Sequence, residues 1–132
     1  MSQENVEIVR RGWEHFLATG EQPQEIIAAD FIWDMSRFRG WPEQQFYEGV
    51  EGINSFIREW TQPFAEWEIE VDSFHDAGER VVSLCHQRAR SKTTGLPVEM
   101  SFAMVWTLRD GLQARMEMYA DRDEALKAVG LI

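Results

Sequence analysis

The rhythm of apolar and polar residues changes halfway along the chain. From Val6, large apolar side chains recur at Val9, Trp13, Phe16 and Leu17, the three-and-four spacing of a helix with one apolar face. The pattern predicts a helix opened by Ser2 or Asn5 as N-cap and closed by Gly20. A short helical turn over 25–29 leads into FIWDM, which is aromatic and branched enough for a short strand. Ile53, Phe56, Ile57 and Trp60 then restore the helical spacing until Pro63 stops it. Between them SRFRGWPEQQFYEG has no period, and its two glycines and proline read as a loop of the length usually kept for functional or lid-like segments.

Beyond Pro63 the period falls to two. WEIEVDSFH, RVVSLCHQRARS and LPVEMSFAMVWTL read as strands separated by the turns DAGE and KTTG. Asp110-Gly111 predicts a type I′ hairpin into LQARMEMYA. A last short helix is capped by Asp121, with Glu124 three residues on, and ends at Gly130. Helices first and a meander of strands after them predict an α+β fold, with helices on one face of a curved antiparallel sheet and room for a conical hollow between the layers. Alternation turns Met100, Phe102, Met104, Trp106 and Leu108 inward, joined by Met116, Met118 and Ala120. Over 81–90 the two faces, Val82 to Arg90 and Val81 to Ala89, are equally compatible with the period. Methionine and aromatic faces suit either a core or the wall of a permissive pocket.

Composition narrows the functions. A chain of 132 residues fits one domain, 1–132. A net charge of −10 without a basic stripe makes nucleic acid and anionic membrane surfaces poor partners. The single cysteine, Cys85, has no internal disulfide partner, and no stretch reads as a signal peptide or membrane span, so the expected location is cytoplasmic. The three histidines, His15, His75 and His86, lack clustered carboxylates or close spacing, so no metal is expected. His15 and His75 are expected at the surface, and Glu117 and Tyr119 on the outward face.

Several stretches together resemble one known family. These are Trp33-Asp34, Tyr47-Glu48-Gly49-Val50-Glu51-Gly52, Asp76-Ala77-Gly78-Glu79-Arg80-Val81-Val82, Phe102 to Gly111 and Tyr119-Ala120-Asp121-Arg122. Across nearly the whole chain the pattern is similar to the SnoaL-like polyketide cyclases, of the nuclear transport factor two superfold. The resemblance implies a curved sheet wrapped around the N-terminal helices as a cone with an internal cavity, usually in a homodimer, and chemistry without a cofactor. Its relatives include ketosteroid isomerases, limonene epoxide hydrolases and dehydratases.

Candidate site residues follow from that resemblance. Asp34 stands where the isomerases carry a general base, which would need an oxyanion-holding donor opposite. Their helix tyrosine is missing, since Trp13, His15 and Phe16 occupy the first helix. The stretch Arg88-Ala89-Arg90 is similar to the Arg-x-Asp of the epoxide hydrolases, but Arg90 replaces the aspartate, and Met118 stands near the place of the second. The resemblance turns His86 and Arg88 into the cone, where an imidazole and a guanidinium could move a proton and hold an oxygen. Asp34, His86 and Arg88 are therefore the catalytic candidates. Trp13, Phe16, Trp60, Met100, Phe102, Met104, Trp106 and Met118 are the candidate ligand wall, and Trp41 and Phe46 are candidates either to cap it or to lie against a partner subunit. The expected function is a cofactor-free isomerase, cyclase or dehydratase acting on a hydrophobic carbonyl compound, with a non-catalytic binder of a small hydrophobic molecule as the alternative. A cone filled by its own side chains, in a purely structural protein, is the third reading.

Overall fold

Each period in the sequence becomes one layer. The structure, a computed structural model, describes residues 2–132, with the backbone alone for Ser2, so a cap by the Ser2 side chain lies outside the described residues. Helix α1 spans Ser2–Thr19 and buries Val6, Val9 and Trp13. Asn5 lies inside this helix rather than capping it, and its amide reaches the carbonyl of Gly78 at 2.9 Å. A 3-10 turn, Gln24–Ile26, leads into β1 (Ile27–Asp34), which begins earlier than the FIWDM stretch. The loop was expected to continue to Gly49, but Phe46–Glu48 forms a short strand, β2, beside β1. Helix α2 (Gly49–Thr61) buries Ile53, Phe56 and Trp60.

The strands β3 (Phe64–Ala77), β4 (Arg80–Ser91), β5 (Pro97–Arg109) and β6 (Leu112–Tyr119) form the expected antiparallel meander. Asp110 and Gly111 both have positive φ, 54° and 77°, as a type I′ turn requires. The sheet order is β2-β1-β6-β5-β4-β3, and β1 runs parallel to β6, the one parallel pair among the described strands.

The two faces of the sheet are covered differently. Helices α1 and α2 lie over one face, and Val9, Phe31, Trp33, Phe56, Phe102 and Met116 meet there. The last helix, α3 (Arg122–Ala128), packs on the opposite face, where Ala125 meets Val82, Ala103, Val105 and Tyr119. The expectation of helices on a single face therefore holds for α1 and α2 only. No helix among the described residues is long and apolar enough to cross a membrane.

Candidate functional site

Between the two large helices and the sheet the side chains do not close completely. They leave a cavity of about 660 Å³, counting the part open to solvent at its mouth. Trp13 and Phe16 enter from α1, Ile53, Phe56 and Trp60 from α2, and Phe102, Met104 and Trp106 from β5. Tilted and edge contacts join the rings, with Trp33 4.7 Å from Phe56 and Trp60 5.8 Å from Phe102 between centroids. Three indoles are fixed by polar side chains of β4 on the same face. Trp60 and Trp67 both donate to Gln87 Oε1, at 2.7 and 2.9 Å, and Trp106 donates to Ser83 Oγ at 3.0 Å. The indole nitrogens of Trp13 and Trp33 and the Gln87 Nε2 are buried without a hydrogen-bond partner.

Seven of the eight residues expected in the wall are there: Trp13, Phe16, Trp60, Phe102, Met104, Trp106 and Met118. Met100 is not among the lining residues. It is half-buried and packs against the apolar cluster nearer the start of β5, before the strand reaches the cavity.

The catalytic candidates lie elsewhere. On β4 the inward face is Val81, Ser83, Cys85, Gln87 and Ala89, so parity sends His86 and Arg88 to the opposite face. There they line a second hollow with Glu68 and Glu70, about 240 Å³ counting the part open to solvent. Asp34 is one residue beyond Trp33, and its side chain points away from the cavity that Trp33 lines. It is buried all the same, at 3% exposure, where Arg115 Nη2 donates to Oδ2 and the Ser36 N–H to Oδ1 at 2.8 Å. Burial would raise the Asp34 pKa, but the bonds from Ser36 and the Arg115 charge outweigh it and hold the carboxyl below its ordinary value. The three expected catalytic groups thus neither converge with one another nor reach the cavity.

His86 does have carboxylate neighbours, contrary to the expectation that the histidines stand apart. Glu70 Oε1 lies 2.6 Å from Nε2 and Asp72 Oδ1 2.8 Å from Nδ1, both supplied by the paired strand β3. These ligand-type atoms fall within 4.8 Å of one another. Each ring nitrogen already meets a carboxylate, Arg122 takes the other oxygen of Asp72, and Arg88 stands 4.0 Å from Glu70. The Arg122 hydrogen bond, against a smaller opposing effect of burial, holds the Asp72 carboxyl below its ordinary value. The group is a cross-strand ion-pair network. His15 is half-buried on α1, and His75 lies within β3, bonded to Ser73 at 2.9 Å.

The aperiodic loop is pinned. Trp41 stacks on Phe56 and Trp60, at 5.2 and 5.5 Å, and Phe38 meets Trp60 edge-on. The Trp41 N–H donates to the Tyr47 hydroxyl, which donates to Glu59. Burial first, and then Glu59, raise the Tyr47 pKa above its ordinary value. Trp41 thus backs the wall from behind, and Phe46 is half exposed on β2. Cys85 is sealed beneath the sheet, where burial pushes its thiol up to about 12, so it supplies no thiolate near neutral pH.

Sequence reasoning missed several wall residues, Phe31, Ile53 and Phe56 among them, and the polar one with the clearest cause is Gln113. Strict alternation from Met116 and Met118 would leave it with Arg115 on the far face. In the structure β5 residues Thr107 and Leu108 pair with Arg115 and Gln113, so Ala114 is an extra residue, a bulge that turns Gln113 toward the cavity. A run of alternating residues carries no signal for such a break.

Residues 13–116 match the family model described as SnoaL-like domain. None of the curated proteins matches the sequence. Among solved structures, an NTF2-like protein of unknown function from Burkholderia pseudomallei is 23% identical over 96% of this chain and 98% of its own, with a TM-score of 0.71. TerC, co-crystallised with polyporic acid, is 21% identical over 96% and 98%, with a TM-score of 0.73. A protein from Jannaschia sp. CCS1, classed provisionally as a SnoaL-like polyketide cyclase, is 21% identical over 99% and 94%, at 0.70. At these identities the likeness is one of fold.

Proposed function

The chain belongs to the SnoaL-like domain family, and from that premise we propose that it binds an apolar small molecule in the cavity between α1, α2 and the sheet. One observation carries this reading: among the described residues none that lines the cavity is ionisable near neutral pH, and the only polar side-chain amides in the wall are those of Gln22 and Gln113. An isomerase, cyclase or dehydratase acting beside a carbonyl needs a base within hydrogen-bond reach of the proton it takes. Asp34, His86 and Arg88 stand behind the wall, so a cyclase of the kind provisionally assigned to the Jannaschia protein would have to draw its base from elsewhere. Binding needs only what the wall offers. A ligand that buries about 200 Å² of apolar surface gains roughly 5 kcal/mol, before the cost of lost freedom is subtracted. TerC, whose fold is similar, was co-crystallised with a small molecule, polyporic acid.

The test is a titration with N-phenylnaphthylamine, a neutral probe that brightens in apolar surroundings. Saturable binding is expected to persist in Asp34→Asn and His86→Ala. Ile57→Trp, which adds bulk at a half-buried wall position, is expected to weaken it at least tenfold. Binding that ignores Ile57→Trp, or none to the folded protein, would sink the reading. Turnover of a carbonyl compound that stops in Asp34→Asn would restore the acid–base alternative.

A further inference from the structure

Gln113 is the one polar group that the backbone has been bent to deliver. It is 4% exposed and lines the cavity, and its amide has no hydrogen-bond partner among the described residues. Two irregularities flank it. The bulge at Ala114 re-aims it from the β5 side, and the β1 register slips between Ile27, its pair, and Ile32. Opposite lies Gly12, in the middle of α1, where a Cβ would stand 3.2 Å from Gln113 Nε2 and 3.7 Å from Oε1. A mid-helix glycine is unfavourable in itself, and here it leaves the room the amide occupies.

No protein group pairs with this amide, and its atoms are not among those sealed from the cavity, so a ligand that enters the cavity can complete it. Resting on the binding reading above, we infer that Gln113 anchors a neutral carbonyl oxygen of the ligand, and that the occupant is an uncharged ketone, quinone, ester or lactone on an apolar frame. The amide NH₂ is the donor, and the carbonyl accepts it. Uncharged follows from the wall, which has no cation to offset a carboxylate taken out of water. The Trp13 and Trp33 indole nitrogens add unpaired donors to the same wall. Both are fully buried and would have to turn to meet a ligand, so the assignment stands on Gln113.

Fluorenone, fluorene and a fluorenone carboxylate share one frame and compete for bound N-phenylnaphthylamine. Fluorenone is expected to displace the probe about tenfold more tightly than fluorene, and the carboxylate at pH 7 at least tenfold more weakly than fluorenone. Gln113→Leu is expected to bring fluorenone down to fluorene. Gly12→Ala, which favours the helix while crowding the amide, is expected to narrow the gap, and it carries the test should Gln113→Leu fail to fold. Equal displacement by fluorenone and fluorene overturns the anchor and leaves the binding reading standing. A preference that survives Gln113→Leu, or a tighter carboxylate, also overturns it. Failure of the probe itself to bind overturns the binding reading and this inference together.

Discussion

Asp34 and Arg115 form a pair whose worth depends on pH. The bonds from Ser36 and then Arg115 hold the Asp34 carboxyl below its ordinary value in the folded chain, so together they stabilise fully above the unfolded pKa of about 3.9 and lose their effect as pH falls through the folded value. Asp34→Asn is expected to cost about 1–3 kcal/mol in urea unfolding at pH 7, and the difference from the parent chain is expected to shrink below pH 4. A constant difference across that range would mean that packing, not charge, is what Asp34 contributes. The same residue shows what alternation hides. Phe102, Met104, Trp106 and Met118 were legible as wall because their strands carry an unmistakable apolar face. Asp34, His86 and Arg88 were placed by likeness to relatives with different side chains around them. For β4 the period left two faces open, and the choice was made by Gln87 and Ser83, which the wall tryptophans need as acceptors.

At the scale of elements, local signals worked where one strand or helix end could satisfy itself. Asp121 caps α3 by accepting from the N–H groups of Asp123 and Glu124, at 2.8 and 3.3 Å. Replacing it with alanine is expected to cost about 0.5–2 kcal/mol, read as a lower urea midpoint with unchanged slope. Gly111, at φ 77° in the β5–β6 turn, is expected to lose about 1–2 kcal/mol on substitution by alanine, which rarely adopts that conformation. Signals failed where an element exists only through a neighbour. Phe46–Glu48 is too short to show a period and becomes a strand by pairing with β1. Residues Ile27 to Ala29 read as part of a helical turn with Glu25, but the chain is already extended from Ile27, where it pairs with Gln113 of β6. The bulge at Ala114 belongs to the same class, since it is defined by register against β5 and not by its own residues.

For the molecule as a whole, occupancy of the cavity is coupled to folding. A ligand that binds only the folded chain adds about 2.7 kcal/mol at a hundred times its Kd, expected to raise Tm by roughly 5–15 °C for a domain of this size. Fluorenone at that concentration should give this shift in a calorimeter, and Ile57→Trp should abolish most of it. The order of the strands has a consequence in time. β1 is made early and its parallel partner β6 nearly last, so on the ribosome one edge of β1 stays open while the intervening strands are synthesised. At about 5–20 residues per second that interval is roughly 4–16 s, during which Phe31 and Trp33 have no β6 beside them. The nascent chain therefore passes through a stage that chaperones would recognise. A ribosome-bound chain halted before Leu112 is expected to be cut readily by protease, and one released after Tyr119 to resist it.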